Sequence, residues 1–206
     1  SGNVSFYNQT KEVGIKPTPS IGGVGLIKDY TKMITMDFKE LDNIVILIGK
    51  TEGHIDQSLL ARTILDEKNG PPPEINLFNE KNNGETLLQL MSKNLIKSAH
   101  DVSLGGIITA ISKMCIKGNK GIELDKAKSL ISEIEYFFSE DQGRYIIEIN
   151  PNDLNKVTKV LNENSVHYEK LGKIIEKHMT INQKTNITID ELKSYNTNWL
   201  TNYMSS

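Results

Sequence analysis

The chain has 206 residues, enough for one large domain or for one domain with an appended segment. Its formal net charge of −2 excludes a strong positive field, so neither nucleic acid nor a membrane is an expected partner. Cys115 is the only cysteine, which excludes an internal disulfide and a cysteine-based zinc cluster. The apolar runs are too short to span a bilayer and no signal peptide is recognisable, so a cytoplasmic protein is expected.

The first part of the chain is rich in proline and glycine. The run at 21–27 alternates small and apolar residues, which predicts a strand that packs closely against its neighbours. Two further strands are predicted at 31–38 and 42–48, joined by a polar turn. The second of them contains five consecutive apolar residues, which is typical of a strand buried on both faces.

A polar loop at 51–58 then leads into a helical pattern at 59–65. Strand, loop and helix in this order form one side of an α/β unit, and ligands gather at such strand ends. His54 is a lone histidine, and we interpret it as a surface or capping residue and not as a ligand. The polar segment 69–83 is expected to be mobile, and a helix is predicted at 85–97.

The segment 98–106 reads Ser-Ala-His-Asp-Val-Ser-Leu-Gly-Gly and precedes an apolar run with helical spacing. Gly105 and Gly106 would let a ligand approach the backbone, and the first free N–H groups of a helix favour an anion. The polar side chains beside them are His100, Asp101 and Ser103. The pattern suggests a phosphate-facing turn. The alternative is a closely packed turn in which Asp101 or Ser103 caps the helix, and the residues alone leave both open.

Beyond this turn, Cys115 lies in an apolar helical run and is expected to be a buried thiol. A short strand is predicted at 121–124 and a helix at 127–134. The segment 136–145 reads Tyr-Phe-Phe-Ser-Glu-Asp-Gln-Gly-Arg-Tyr. One interpretation makes Ser139 and Gln142 the capping box of a new helix.

The last third of the chain predicts a β-α-β unit with strands at 145–149 and 167–175. Thr188 and Glu191 have the spacing of a capping box at the start of a final helix. Trp199, in that helix, is expected to pack against the sheet.

Three segments, spread over about two-thirds of the chain, resemble phosphoribosylformylglycinamidine synthase, a member of the AIR synthase-related superfamily. They read Ser-Gly-Asn-Val-Ser-Phe-Tyr-Asn at 1–8, Ala-His-Asp-Val-Ser-Leu-Gly-Gly at 99–106 and Ser-Glu-Asp-Gln-Gly-Arg-Tyr at 139–145. The resemblance is to the C-terminal portion of subunit II. It implies an α/β fold, an AIR synthase C-terminal-like domain at 40–206 with a mixed sheet flanked by helices. Residues 1–39 would be the tail of the preceding ATP-binding domain.

The resemblance also implies a set of site residues. Gly2 would contact ATP, Asn3 would ligate Mg²⁺, which prefers hard oxygen ligands, and Ser5 would contact formylglycinamide ribonucleotide. The nucleotide site would include His100, Asp101, Ser103, Gly105 and Gly106. The motif that holds Ser139, Glu140, Asp141 and Gln142 would be the second copy of a substrate-binding motif, at a site for substrate or for a structural nucleotide. The catalytic histidine of the family has no counterpart here, so no catalytic residue is assigned.

The implied reaction converts formylglycinamide ribonucleotide to its amidine with ATP and glutamine, which is carbon–nitrogen ligase chemistry. The implied partners are the remaining N-terminal part of the synthase, a glutaminase subunit and a small accessory subunit, and the chain alone is expected to be inactive. Residues 54–58 lack the Gly-Gly-Ser type turn of the family, which argues against a phosphate at that loop. The alternatives are another ATP-dependent enzyme of the superfamily and a non-catalytic, interface-forming half of the synthase.

Overall fold

The computed structural model describes residues 9–14, 22–125 and 130–205, which fall into two units that divide between Met33 and Ile34. The first unit contains a short hairpin, β1 (Gln9–Thr10) and β2 (Val13–Gly14), and a 3-10 turn at Tyr30–Lys32. Residues 22–27 form no strand, and Val24 and Leu26 are fully exposed. The strand predicted at 21–27 is therefore wrong over its described residues.

The second unit is built on a seven-stranded sheet with the order β4-β6-β3-β7-β5-β8-β9. Neighbouring strands are antiparallel except β5 and β8, which are parallel, so the predicted mixed sheet is confirmed. The strands are β3 (Ile44–Ile48), β4 (Ser98–Asp101), β5 (Gly121–Leu124), β6 (Tyr145–Ile149), β7 (Tyr168–Ile175), β8 (His178–Ile181) and β9 (Thr185–Thr188).

Six α-helices accompany the sheet in the described part of the chain. They are α1 (Leu59–Thr63), α2 (Leu77–Ser92), α3 (Gly106–Gly118), α4 (Glu133–Phe138), α5 (Leu154–Glu163) and α6 (Ile189–Ser205). None of them combines the length and the apolar character that crossing a membrane requires.

Strand β3 contributes to two hydrophobic cores, one on each face of the sheet. Val45 and Leu47 belong to a core that includes residues of α3 and α4, whereas the isoleucines of β3 belong to a core that includes residues of α2 and α5. All five residues of β3 are buried, as predicted for a strand covered on both faces. Cys115 is fully buried in the first core, and burial raises the pKa of its thiol to about 12, which confirms a buried core thiol.

Several predicted elements are placed differently in the structure. Residues 31–38 form no strand; the 3-10 turn is followed by irregular chain. Helix α2 begins at Leu77, capped by the Asn76 side chain, so part of the segment expected to be mobile is helical. Residues 98–101, the start of the segment that the sequence pattern indicates as a turn, form β4, because their backbone pairs with β6. The pairing of β4 with β6 is a long-range contact that local patterns do not encode.

The starts of helices α4 and α6 also bear on the predictions. Helix α4 begins at Glu133 behind a capping box at Ser132; of the helix predicted at 127–134, residues 127–129 lie outside the described part. The capping box at Thr188 is confirmed, since its Oγ1 accepts the Glu191 N–H at 3.1 Å and the Glu191 carboxylate accepts the Thr188 N–H at 2.8 Å. Trp199 is 61% exposed, so the prediction that it packs against the sheet is wrong. Ile189 and Leu192, at the start of α6, contact the core instead.

Candidate functional site

Three predicted segments meet where the strands β3 and β4 end and β6 begins. Both β3 and β4 run antiparallel to β6, and their last residues, Ile48 and Asp101, both lie opposite Tyr145, the first residue of β6. The loop after β3, the loop after β4 and the loop before β6 are therefore neighbours. The sheet topology thus brings together the segment 51–58, the turn at 102–105 and the motif at 139–144.

The motif before β6 folds around a buried guanidinium. Arg144 is 1% exposed and donates from Nε to the Asp141 carbonyl at 3.0 Å, and from Nη2 to the Ser139 carbonyl at 2.8 Å. Its Nη1 donates to Thr51 Oγ1 at 3.0 Å, on the loop after β3. Burial lowers the pKa of Arg144, while the neighbouring charge of Asp141 opposes that shift. The arginine therefore sets the shape of the loop that carries the acidic residues.

Asp141 binds the backbone of the loop after β3. Its Oδ2 accepts the N–H groups of Glu52 at 3.0 Å and Gly53 at 3.1 Å, and its Oδ1 accepts the N–H of His54 at 3.1 Å. The residue is 7% exposed, so these bonds are partly shielded from water. One side chain thus accepts hydrogen bonds from three consecutive backbone N–H groups.

Glu140 lies at the start of two helices. Its Oε1 accepts the N–H of Leu59, the first residue of α1, at 2.7 Å. The same oxygen accepts the N–H of Gly105, the N-cap of α3, at 2.8 Å. A carboxylate is the kind of group that a helix N-terminus stabilises. Glu140 thus supplies from within the chain the anion that the sequence suggested for a ligand.

Gly105 and Gly106 serve close packing in this structure. Their φ angles are +81° and +69°, and both residues are buried. A Cβ on Gly106 would lie 2.6 Å from the Ser139 carbonyl oxygen, and the Gly106 N–H donates to the Ser103 carbonyl at 3.0 Å. The N–H groups of Gly105 and Gly106 are already bonded inside the chain, which favours the closely packed turn over the phosphate-facing one. A role of these glycines in nucleotide binding stays a prediction.

The polar residues of this turn have separate surroundings. His100 Nδ1 lies 3.1 Å from Asp101 Oδ1, and its Nε2 is buried with no hydrogen-bond partner among the described residues. Asp101 and Ser103 are exposed. The residue that caps α3 is Gly105, with no side-chain cap bond, so neither Asp101 nor Ser103 has the capping role considered above.

Ser139 and Gln142 do not start a helix, so the capping-box interpretation is wrong. Ser139 is instead the C-cap of α4, where its N–H donates to the Glu135 carbonyl at 3.2 Å. Gln142 is exposed, and its Nε2 donates to the Glu140 carbonyl at 3.1 Å. The residues that fix the loop are Asp141 and Arg144. Arg144 is not among the predicted site residues, although its rarity is a signal in the sequence, since the chain has only two arginines.

Two cavities of about 520 and 340 Å³ flank this loop and share the lining residues Glu80, Gln142 and Gly143. We call them together the groove. Further lining residues are Lys50, Glu52, His54 and Glu74 in the larger cavity and Asp101, Ser103 and Glu140 in the smaller one. The abundance of carboxylates makes the groove a poor match for a bare triphosphate.

In the ranges 9–14, 22–125 and 130–205, no three histidine, cysteine, aspartate or glutamate side chains are placed to hold a metal. Gly2, Asn3 and Ser5, for which the resemblance implies ATP, Mg²⁺ and substrate contacts, lie outside these ranges. Their roles stay predictions.

Comparison with known proteins places this geometry in a family. Residues 41–183 match the family described as AIR synthase related protein, C-terminal domain. A relative from Pelagibacter ubique, named phosphoribosylformylglycinamidine synthase subunit PurL, is 69% identical over all 206 residues. The chain spans 28% of the length of that relative.

Solved structures of Thermotoga maritima PurL share the fold. Those described as complexed with FGAR and with ATP have TM-scores of 0.67 and 0.60, and that of PurLQS has 0.61. Each covers 79% of this chain and 27–29% of the solved chain, at 16–17% identity. The matched family model covers more than half of the sequence and includes every loop of the groove. The chain therefore belongs to the AIR synthase related proteins, through their C-terminal domain.

Proposed function

We propose that this chain is the C-terminal portion of a phosphoribosylformylglycinamidine synthase subunit. The complete subunit would convert formylglycinamide ribonucleotide to its amidine with ATP and glutamine-derived ammonia, as a carbon–nitrogen ligase. The observation that carries the proposal is the 69% identity, across the whole chain, to a relative with that name. The Thermotoga maritima structures, whose descriptions name FGAR and ATP, support the same substrates.

Within that subunit we assign this chain a positioning role. The acidic residues of its motif bind backbone amides, and the amides of Gly105 and Gly106 are used within the chain. ATP and Mg²⁺ would be held by residues outside the described ranges, among them Gly2 and Asn3, together with the rest of the subunit. Partners of the complete protein would be a glutaminase and a small accessory subunit, in keeping with the assembly named PurLQS.

The test compares the complete subunit with the 206-residue chain. With formylglycinamide ribonucleotide, ATP, Mg²⁺ and ammonia, the complete subunit is expected to form the amidine and ADP, whereas the chain alone is expected to form neither. A complete subunit that ignores this substrate but cyclises the amidine ribonucleotide would instead support another enzyme of the superfamily. Turnover by the isolated chain would contradict the positioning role.

A further inference from the structure

Helix α6 is buried at its start and exposed over the rest of its length. Ile189 is buried and Leu192 packs against the core. Further along the helix, Tyr195, Trp199 and Tyr203 are each more than half exposed. Successive members of this series are three or four positions apart, so all of them lie on one side of the helix. The side that covers the core at the start of α6 therefore continues outward as an exposed apolar surface.

We call this outer surface the α6 face; it consists of Tyr195, Trp199, Leu200 and Tyr203. Its sequence is poorly suited to a helix surrounded by water. No charged residue occurs from 194 to 206, so these turns offer no side chains for ion pairs along the helix. The residues between the apolar ones are serine, threonine and asparagine, which favour helix less than alanine, leucine or lysine do. Helices in proteins are stabilised mainly by packing of their apolar side, so the outer turns need a surface that covers them.

The size of the α6 face favours an occupant in the same polypeptide. Three aromatic side chains and a leucine, each about half exposed or more, present on the order of 400 Å². A patch of this size on a monomer is often an interaction site. A stable complex of separate chains, however, buries about 800 Å² on each partner. The α6 face is therefore too small to hold a second copy or another subunit by itself, but it suffices for a segment tethered by the backbone.

The comparisons place α6 outside the shared domain. The family match ends at residue 183, whereas α6 begins at Ile189. The Pelagibacter ubique relative nevertheless matches over all 206 residues, which include α6, and most of that relative lies outside the matched segment. Helix α6 is therefore an addition to the domain, shared with a relative that has a long further polypeptide.

We propose that the α6 face docks against the part of the synthase subunit that precedes this chain. The inference rests on the proposed function, because a C-terminal portion of a subunit has such a preceding part. The chemistry of the face defines the surface that covers it. Aliphatic or aromatic side chains lie opposite Trp199, and charged groups are absent there, since α6 offers no charge to pair with a buried one.

The first experiment identifies the occupant in the complete subunit, with the glutaminase and the small accessory subunit present. Trp199 is replaced by the photoreactive residue p-benzoylphenylalanine, and the peptides that it cross-links are identified by mass spectrometry. The proposal predicts cross-links to the polypeptide that precedes this chain. The same replacement at Thr201, which is exposed on the opposite side of α6, is the control and should give few cross-links or none.

Every other result of this experiment overturns the proposal. Cross-links to a second copy, to the glutaminase or to the accessory subunit would assign the α6 face to another chain. Cross-links within the 206 residues would show that the chain covers its own helix. Equal cross-linking from positions 199 and 201, or none from 199, would show that α6 has no docked side.

The second experiment measures what docking contributes to the stability of the helix. Trp199→Lys places a charge in the docked surface, so hydrogen exchange of residues 195–205 in the complete subunit is expected to become about 10-fold faster or more. Thr201→Lys adds the same charge on the opposite side and should stay within about 2-fold of the wild-type rate. Equal rates in the two variants would contradict docking. If Trp199→Lys does not fold, the cross-linking decides. A complete subunit that gives the expected cross-links but is inactive with formylglycinamide ribonucleotide overturns only the proposed function.

Discussion

Carboxylates organise the chain at both ends of strand β6, but with different results. Near its C-terminal end, Glu148 is fully buried and accepts four hydrogen bonds. Oε2 of Glu148 accepts the Lys39 N–H at 2.8 Å and the Ser98 hydroxyl at 2.9 Å. Oε1 of Glu148 accepts the Glu40 N–H at 3.0 Å and the side-chain amide of Asn43 at 2.7 Å. Before the other end, Glu140 and Asp141 bind backbone amides of the two neighbouring loops, after β3 and after β4.

The difference between the two ends lies in their surroundings. Both oxygens of Glu148 are used, and the residue has no exposed surface, so its whole effect is on the fold. Glu140 is only partly buried and lies beside an exposed glutamine and a cavity of about 340 Å³. The same bond type therefore stabilises the fold at one end of the strand and shapes a groove at the other.

The largest effect is expected for Glu148→Gln. The amide nitrogen of glutamine must replace one of the two carboxylate oxygens, and each of these accepts a backbone N–H, from Lys39 or from Glu40. Two N–H donors would then face each other in a buried site. We expect a loss of about 3 kcal/mol in the free energy of unfolding, measured by urea denaturation. Glu163→Gln, at an exposed position, is the control and should change it by less than about 0.5 kcal/mol. A loss no larger than the control's would show that Glu148 is not a structural anchor.

Asp141→Asn is expected to be the next most damaging change. Asp141 uses both oxygens, so an amide nitrogen must face at least one of the N–H groups of 52–54, and the weak pairing with Arg144 at 3.8 Å is also lost. We expect a loss of about 2 kcal/mol in the free energy of unfolding, with faster hydrogen exchange confined to 52–54. Asp66→Asn, on an exposed side chain with φ near +53°, is the matched control. Hydrogen exchange that becomes faster by the same factor throughout the chain would contradict a local role of Asp141 in holding residues 52–54.

The two glycines at the start of α3 sharpen the comparison further. Gly106→Ala places a Cβ against backbone oxygens that cannot move independently, and we expect a loss of about 2 kcal/mol in the free energy of unfolding. Gly105→Ala meets the Thr109 side chain, whose Oγ1 can rotate away while its Cβ, at 2.9 Å, must shift slightly. The change should cost about 1 kcal/mol, mainly for its positive φ. Urea denaturation of both variants tests the order. Equal, negligible losses would argue against close packing as the reason for these glycines.

Much of the fold could be predicted because its signals are local. The apolar run of β3, the capping box at Thr188 and the burial of Cys115 depend on residues within a few positions of one another, and all three are confirmed. The prediction for Trp199 is wrong because its burial depends on a distant element and not on neighbouring residues. An aromatic residue in a helix indicates packing only if another element covers it, and in α6 the contacts with the core are made by Ile189 and Leu192.

The candidate site was predicted in part. The motifs at 98–106 and 139–145 do meet, but their chemistry differs from the expectation, since Glu140 binds the amide that was assigned to a phosphate. The sequence missed Glu148, although a charged residue inside the apolar strand Tyr145–Ile149 was a visible signal. Its partners lie 50 to 109 positions away, which no local pattern reveals.

By itself the sequence determined the class of fold, the principal helices, most strands of the sheet and the family resemblance, because periodicity, caps and short motifs are properties of neighbouring residues. Only the tertiary structure decided which amides the carboxylates of Glu140 and Asp141 bind. Asp141 meets the amide of Gly53 across 88 positions, and Glu140 meets that of Leu59 across 81. Such pairings follow from the antiparallel placement of β3 and β4 beside β6, so the groove exists only once the sheet has formed.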